Sequence, residues 1–272
     1  MANTLTQLVE KAHEFLTTYA SFYSGQLHYN GQLIQEGLQK GGFHPEVRQK
    51  ITSRDVSIEN FPYELAQRLL QDVEYTPQHI QMMIDNVKKF TKYDAVSFEK
   101  YGSFLSQMMI GVAASDPQLT FDTHNHSRVH VPSFFRWKGR ESSFLIGNVD
   151  HLNEHYRKNG LISRLAARLS SPMNVILRGN VGSFFAAENK GADVRLDGEC
   201  GWRPCYGIIS GEVTINGIAG YELAAGARGG KISVNEEIRS VGAYYTSAFD
   251  HELYLNGVML PKENVHGVAG NA

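Results

Sequence analysis

Cysteine is scarce in this sequence, which has only Cys200 and Cys205 among its 272 residues. Two cysteines are too few for the disulfide framework of a small secreted domain. Long apolar runs are also missing, since none approaches the roughly 18 residues that a membrane-spanning helix needs. The N-terminal segment MANTLTQLVEKAHEFL lacks the apolar core of a secretory signal. We therefore expect a cytoplasmic protein that has no membrane partner.

An excess of charge of one sign is missing too. The 26 basic and 28 acidic residues give a formal net charge of −2 and are interspersed along the chain. Without a cluster of lysine and arginine there is no electrostatic footprint for nucleic acid, so we exclude that class of partner. Motifs for phosphate binding and for a nucleophile elbow are absent as well. Gly179 and Gly182 follow a strand but do not open a helix, which excludes a dinucleotide site there.

The N-terminal part of the chain is predicted to be a helical domain over residues 1–113. Apolar residues recur at helical spacing between residues 4 and 21. The dipeptide Asn30-Gly31 lies between two short apolar runs and predicts a tight hairpin over residues 26–34. Further helices are expected at residues 62–73, 77–91 and 98–113, the last one capped by Ser97.

Residues 114–173 are predicted to be a mixed connector. A helical segment spans about residues 149–169 and can be interrupted at Gly160. Four short runs before it have the composition of strands. These runs are residues 118–121, 128–131, 134–137 and 143–146.

From Asn174 onward the chain repeats itself every 19 residues without gaps. Each copy opens with an apolar–x–apolar triplet, which places two side chains inside and one outside. Since one copy cannot bury its own apolar pair, we expect the copies to stack into a parallel ladder. The copies are residues 174–192, 193–211 and 212–230, with a fourth from Lys231, and the inward pairs are Val175/Leu177, Val194/Leu196, Val213/Ile215 and Ile232/Val234.

Glycines occupy two fixed columns of this repeat. They are predicted to mark corners, where φ is positive or where two backbones approach closely. The columns are Gly179, Gly198 and Gly217, and then Gly182, Gly201 and Gly220. Both cysteines fall in columns of apolar residues, Cys200 with Val181 and Ala219, and Cys205 with Ala186 and Ala224. We therefore interpret them as buried structural residues.

Two further segments resemble parts of the repeat. Leu253–Gly257 resembles Val213–Gly217, which predicts a degenerate final coil, and Phe144–Val149 resembles Ile176–Val181, which makes it the candidate for an earlier coil. The sequence thus predicts an α+β fold, in which a helical N-terminal domain precedes a short right-handed parallel β-helix. The β-helix covers residues 174–272, has 19-residue coils and ends in a C-terminal cap.

At these repeats the chain resembles the GXGXG β-helix family, which includes the C-terminal domain of the glutamate synthase large subunit and the β-helical subunit of formylmethanofuran dehydrogenase. The resemblance rests on Gly198-Glu199-Cys200-Gly201, on Gly217-Ile218-Ala219-Gly220 and on the closing segment Gly226–Ile232. It covers about a third of the chain. It implies a scaffold that packs against catalytic domains or subunits of an amidotransferase-like or formyl-transfer-like complex. A protein partner or a homo-oligomer is therefore expected.

Two histidine clusters are the candidates for chemistry. In an extended chain, alternation places Asp122, His124, His126 and His130 on one face, and His-x-His suits a divalent metal. His151 and His155 lie one helical turn apart in His-x-x-Glu-His, the inverted zincin spacing. The two segments form one combined site if they pack together. A metal-dependent hydrolase is thus the alternative to a scaffold, and the sequence leaves open whether the protein is an enzyme.

Overall fold

The computed structural model describes residues 2–39, 60–125, 129, 154–242 and 250–261, with the backbone alone for residues 2, 25–39 and 250. The helices are α1 (Ala2–Gln39), α2 (residues 60–70), α3 (Pro77–Asp85), α4 (Ala95–Glu99), α5 (Tyr101–Ala113) and α6 (residues 154–159), and Val87–Lys89 is a 3-10 turn. The strands are β1 (Gln118–Asp122), β2 (Asn174–Arg178), β3 (Lys190–Asp197), β4 (Ser210–Ile215), β5 (Ile218–Ala219), β6 (Gly229–Val234), β7 (Glu237–Ile238), β8 (Asp250–Leu255) and β9 (Val258–Met259).

The N-terminal helices form a packed unit whose core is apolar. Helix α1 contacts α3, α4 and α5, and its residues Leu8, Phe15 and Leu16 are fully buried. Helix α3 begins where the sequence predicted, with Pro77 in its first turn and the Thr76 N–H donating to Nδ1 of His79. Among the described helices, none combines the length and the apolar character needed to cross a bilayer.

Two local predictions for this unit are wrong. Residues 26–34 do not form a hairpin, because α1 continues through Asn30-Gly31 to Gln39. Once a helix is nucleated, each added residue contributes a further hydrogen bond, and this outweighs a two-residue turn signal. Ser97 is not the cap of a helix over 98–113. Asp94 caps the short helix α4 by accepting from the N–H groups of Val96 and Ser97, and α5 then begins at Tyr101.

The C-terminal part is a parallel β-solenoid, as the repeat predicted. Its main sheet has the order β1-β2-β3-β4-β6-β8-β9, and every neighbouring pair is parallel except β8 with β9. The register between β2, β3, β4 and β6 advances by 19 residues, so Val175 pairs with Val194, then Val213, then Ile232. The predicted final coil is confirmed, because Leu253 of β8 lies beside Ile232 of β6.

The inward side chains of these strands form two buried stacks. They are apolar in every coil, so the stacks run without a break through the solenoid. All but Leu255 are almost fully buried. The stacks are Leu119, Val175, Val194, Val213, Ile232 and Leu253, and then Phe121, Leu177, Leu196, Ile215, Val234 and Leu255.

Opposite the main sheet, each coil closes through a five-residue segment that we call an arch. The arches are residues 164–168, 184–188, 203–207 and 222–226, and φ is positive at the first, third and fifth position of each. Their backbones are bonded from coil to coil, as where the Arg164 N–H donates to the Ser183 carbonyl at 2.7 Å and the Phe184 N–H to the Trp202 carbonyl at 2.8 Å. The arches therefore satisfy their backbone groups without forming strands.

The first coil contains a long insertion. Its strand is β1, which pairs in register with β2, and its arch follows only at residues 164–168. Both lie in the segment 114–173 that was predicted as a connector. The helix predicted to extend to residue 169 ends before Gly160, where φ is +66°, and the chain enters the arch instead. Phe144–Val149 lies outside the described residues, and β1 provides the strand of the earlier coil.

The two ends of the solenoid differ. At the first coil the helices cover the stack, because α3 and α5 contact β1 and the Arg168 guanidinium lies 4.0 Å from the centre of the Tyr63 ring. At the other end β8 turns back into the short antiparallel strand β9. Within the described part of the chain, β9 has β8 as its sole strand neighbour.

Candidate functional site

The residues of the predicted histidine clusters are divided between described and undescribed parts of the chain. Asp122 ends β1, His124 follows it, and His155 lies on α6. His126, His130 and His151 lie outside the described residues.

His124 lies between two carboxylates. Its Nδ1 is 3.3 Å from Oδ1 of Asp122, and its Nε2 is 3.3 Å from Oδ1 of Asp85 on α3. The backbone N–H of His124 also donates to Asp122 Oδ1 at 2.7 Å, which holds the residue at a φ of +50°. The imidazole is 62% exposed, so the ring bridges the two carboxylates at the surface. If Nε2 of His124 acted as a general base towards a substrate, Asp85 would first have to move away from that nitrogen.

Gln81 fixes the spacing of this cluster. Its carboxamide donates to Asp85 Oδ1 and to the Asp122 carbonyl, both at 2.7 Å, and accepts from the Asp122 N–H at 2.8 Å. Sequence reasoning missed Asp85 and Gln81, because they lie on α3 and meet the end of β1, about 40 residues later in the chain, only when the protein folds. Only their i, i+4 spacing on α3 marks them as sharing a helix face.

The second cluster lies near the first. The Asn125 carboxamide donates to the Asn159 carbonyl at the end of α6, at 2.8 Å. His155 packs edge-on against Tyr156, with ring centres 5.9 Å apart, and its Nδ1 is 3.4 Å from Nδ2 of Asn159. In the described part of the chain, His, Cys, Asp and Glu form no group of three that could hold a metal ion. Because three of its six residues lie outside the described part of the chain, the predicted metal site stays a prediction.

The cysteines have no part in a reactive site. Cys200 is bridged to Val181 and Ala219 in adjacent coils, and both cysteines are free and buried. Burial raises the pKa of the Cys200 thiol to about 12 and that of Cys205 well above its usual range. Both thiols are therefore protonated at neutral pH, which excludes them as nucleophiles there.

The glycine columns serve close approach more than unusual backbone angles. Of the six predicted corner glycines only Gly179 has a positive φ, at +101°. A Cβ on Gly198, Gly217 or Gly220 would overlap the carbonyl of the glycine one coil below, and a Cβ on Gly182 or Gly201 would overlap a side-chain oxygen of Ser163 or Tyr156. These columns are structural, as the repeat indicated.

A buried ion pair joins the helices to the first arch. Oε1 of Glu99 lies 2.8 Å from Nε of Arg164 and 3.3 Å from Nζ of Lys100, and all three side chains are buried. Burial alone would raise the pKa of Glu99. The charges and hydrogen bonds of Lys100 and Arg164 outweigh burial and lower the pKa to about 2. Beside this pair, Gly102 contacts the Ser163 carbonyl with no room for a Cβ. The helices are thus fixed to the solenoid.

A cleft of about 480 Å³ lies in the helical unit, away from the histidines. Its lining combines glutamine side chains and one carboxylate with aliphatic residues. Tyr75 forms one wall, and burial raises the pKa of its phenol to about 12. The lining residues are Gln67, Leu70, Gln71, Val73, Glu74, Tyr75, Gln107, Ile110 and Gly111.

Four large apolar side chains are exposed in the described residues. Tyr206 lies in the third arch and Ile209 just after it, with 37% and 43% of their surface exposed. Val258 and Met259 form β9 and are more exposed, at 66% and 53%. The largest apolar exposure therefore lies at the end of the solenoid that the helices do not cover.

The resemblance to the GXGXG family has no independent support from known proteins. No family model, curated protein or solved structure matches this chain. The solenoid is established by its own strand register, and the family remains a hypothesis drawn from the repeats.

Proposed function

We propose that this protein is a cytoplasmic scaffold, a GXGXG-like β-helix that binds a protein partner as a non-catalytic part of an amidotransferase-like or formyl-transfer-like complex. The observation that carries this proposal is the difference between the two ends of the solenoid. One end is fixed under the helices through Glu99 and Arg164. The other end presents Val258 and Met259 to solvent.

A short strand with exposed aliphatic side chains is a typical site for association. Its free backbone edge can pair with a strand of another chain, and its side chains supply apolar contact area. Charged residues often block such an edge in proteins that remain monomeric. Here the β9 residues are valine and methionine, and the β8–β9 turn is Asn256-Gly257, so neither the edge strand nor its turn carries a charged residue.

The body of the solenoid is suited to hold this hairpin rigidly. The strand interiors are apolar, the arches bond from coil to coil, and the carboxamides of Asn216 and Asn235 continue a ladder that begins at Asp197. These groups are engaged in holding coils together. The chain therefore offers a partner a stiff surface with its apolar patch at one end.

The test is affinity purification of the full-length protein, tagged and expressed at its native level in its source cells. The wild type is compared with a Val258→Lys/Met259→Lys variant and with Ile209→Lys, a control at another exposed aliphatic residue. Substitutions at such exposed positions change stability by about 0.5 kcal/mol or less. We expect an amidotransferase or formyl-transfer subunit with the wild type and the control, lost with the hairpin variant.

The recovered subunit must then bind the purified protein directly, with the same response to the variants. A protein that is monomeric and without partners at its native concentration contradicts the proposal. A partner whose binding is unchanged in the hairpin variant contradicts the assigned surface. A partner of another class contradicts the assigned complex.

A metal-dependent hydrolase is the second candidate, favoured by the position of His124 next to Asp122 and close to α6. Metal analysis of the purified protein, before and after loading with Zn²⁺, tests it. A stoichiometric metal that is lost in a His124→Ala/His126→Ala variant supports direct ligation. If no stoichiometric metal binds, this candidate is excluded.

A further inference from the structure

The chain contains four Asn-Gly dipeptides, at Asn30, Asn159, Asn216 and Asn256. This dipeptide is chemically labile, because glycine has no side chain to hinder attack of its backbone nitrogen on the preceding carboxamide. The attack needs a carboxamide that is free to turn and a backbone that can leave its folded conformation. The structure places the four pairs in different environments, so their reactivities can be ranked.

Two of the pairs are held in regular structure. Asn30 lies within the continuous helix α1. Asn159 ends α6, where its Nδ2 donates to the His155 carbonyl at 2.9 Å and the following Gly160 N–H donates to Arg157. Each would have to break helical hydrogen bonds before it could react.

Asn216 is held more tightly, within the ladder of the solenoid. Its Nδ2 donates to Asp197 at 2.6 Å, and its Oδ1 accepts from Asn235, also at 2.6 Å. Gly217 lies against the backbone of Gly198 one coil below. The carboxamide and the attacking nitrogen are thus both fixed by neighbouring coils.

Asn256 lies in the exposed turn between β8 and β9. Its φ is +50° and that of Gly257 is +77°, both positive as a type I′ turn requires. The Asn256 side chain is exposed and makes no hydrogen bond to the described residues, and a Cβ at Gly257 would meet no described atom within 4 Å. Strand β9 is two residues long, and the Asn256 N–H donates to the Val234 carbonyl at 2.9 Å, so the turn opens by breaking few backbone bonds.

We propose that Asn256 is a site of spontaneous deamidation in the folded protein and that Asn216 is protected. The backbone nitrogen of Gly257 attacks Cγ of Asn256 after the turn opens, the side-chain amide leaves as ammonia, and a succinimide forms. Water then opens this ring at either carbonyl, which gives aspartate or isoaspartate. The net change is the exchange of ammonia for water, with no oxidation or reduction.

The products change the end of the solenoid. Isoaspartate adds a methylene group to the main chain of a two-residue turn, so Leu255 and Val258 can no longer pair in the same register. Either product also places a negative charge beside the exposed residues of β9. The hairpin would therefore differ between new and aged molecules.

The test is incubation of the folded full-length protein in mildly alkaline buffer, followed by peptide mass spectrometry. Deamidation raises the peptide mass, and isoaspartate is identified by isoaspartyl methyltransferase labelling. We expect Asn256 to convert at least about tenfold faster than Asn216, because reaction at Asn216 requires opening of the coil ladder. In denaturant the two sites should convert at similar rates, which controls for intrinsic reactivity.

Two variants complete the test. Gly257→Ala should slow conversion by hindering the attacking nitrogen, and Asn256→Gln should abolish it at this position because the longer side chain forms the corresponding ring far more slowly. Equal rates at Asn256 and Asn216 in the folded protein would overturn the proposal. So would a rate at Asn256 that is unchanged in Gly257→Ala. Neither result depends on whether the protein binds a partner.

Discussion

At the scale of single residues, close approach of two backbones and a positive φ angle occur at different positions of this solenoid, and mainly the first requires glycine. The corner glycines are needed because coils approach each other too closely for a Cβ, as at Gly217. Positive φ angles are mostly found elsewhere, in arches that contain Phe184, Cys205 and Glu222. A left-handed conformation costs a side-chain-bearing residue about 1 kcal/mol, and the bonds between arches offset that cost.

A pair of alanine substitutions separates these two effects. In Gly217→Ala the new methyl group meets the Gly198 backbone, which cannot move without breaking the ladder, so we expect a loss of about 3 kcal/mol in unfolding free energy. In Gly257→Ala the new methyl group meets open space, and only the positive φ costs stability, by about 1 kcal/mol. Urea denaturation measures both. Equal losses would show that close approach is not what requires glycine at position 217.

The buried cysteine column gives a second residue-scale prediction. Cys205 stacks in a column with Ala166, Ala186 and Ala224, all fully buried, so Cys205→Ala should cost less than about 1 kcal/mol. Cys205→Ser should cost about 2 kcal/mol because it buries a hydroxyl group among these alanine side chains. Because burial raises the pKa of both thiols, iodoacetamide should label neither cysteine in the native protein and both after unfolding. Rapid labelling of the native protein would contradict this account.

The residue patterns predicted the strands better than the arches. Val175, Val194 and Val213 are valine because they face the interior, so their spacing in the sequence reports the coil directly. The first position of the arches holds two arginines, a phenylalanine and a glutamate, so it has no constant chemistry; these residues are Arg164, Arg203, Phe184 and Glu222. Backbone bonds between coils support the left-handed conformation at this position and require no particular side chain. The sequence reported only the third arch position, where burial selects small residues such as Ala186 and Cys205.

At the scale of elements, the junction between α4, α5 and the first arch depends on Glu99. Its carboxylate is the counter-charge for two buried cations, and Arg164 also lies 4.4 Å from the centre of the Phe184 ring. Removal of one partner from a buried pair leaves the other charge uncompensated.

The Glu99→Gln variant should therefore lose about 3 kcal/mol of stability at neutral pH. The pKa of Glu99 falls from 4.5 to about 2 on folding, so its ionisation stabilises the fold fully above pH 4.5, and this contribution is lost as the pH falls towards 2. The difference in unfolding free energy between wild type and variant should therefore shrink as the pH falls from 4.5 towards 2.

Urea denaturation at a series of pH values measures the difference. Glu10→Gln, at an exposed carboxylate on α1, is the matched control and should show no such convergence. A difference that stays constant from neutral pH to pH 2 would mean that Glu99 does not act through its charge.

The elements also show why local signals failed in the helical unit. The Asn-Gly pair at residues 30 and 31 is a strong turn signal in isolation, but it lies within a helix that already has a long apolar face. Ser97 is a good cap residue, yet the helix already begins at Asp94, which accepts from the N–H groups of Val96 and Ser97, and the Ser97 hydroxyl donates to Asp94 at 2.7 Å. Where the local sequence permits two structures, such as a turn or a helix, packing with the rest of the chain decides which one forms.

At the scale of the whole molecule, the fold was predictable where it repeats and the site was not. The solenoid needs only neighbour-to-neighbour matching, which a repeat makes visible. The contact of His124 with Asp85 depends on how the helical unit packs against the first coil, and neither segment has a sequence pattern that predicts this packing. The insertion in the first coil hides β1 from the repeat, because 56 residues instead of 19 separate Gln118 from its partner Asn174.

A solenoid with a constant coil length should accept the removal of one whole coil. Deletion of residues 212–230 joins Gly211 to Lys231 and makes the rest of β6 the neighbour of β3. Val194 then lies beside Ile232, since both pair with Val213 in the intact protein. We expect a folded, less stable protein that unfolds cooperatively. Deletion of residues 213–230 removes one residue fewer and shifts Ile232 to the outward side of the strand, so this matched control should not fold.

A crosslink reports whether the shortened solenoid has closed as expected. Arg195 and Ser233 face outward two coils apart, each paired with Thr214, so cysteines placed there are about 10 Å apart in the intact chain. That separation exceeds the roughly 7 Å limit between Cα atoms for a disulfide. After removal of residues 212–230 the two positions become direct neighbours, and an Arg195→Cys/Ser233→Cys variant should oxidise readily. Failure to form this disulfide in a folded deletion variant would mean that the coils do not stack as independent, exchangeable layers.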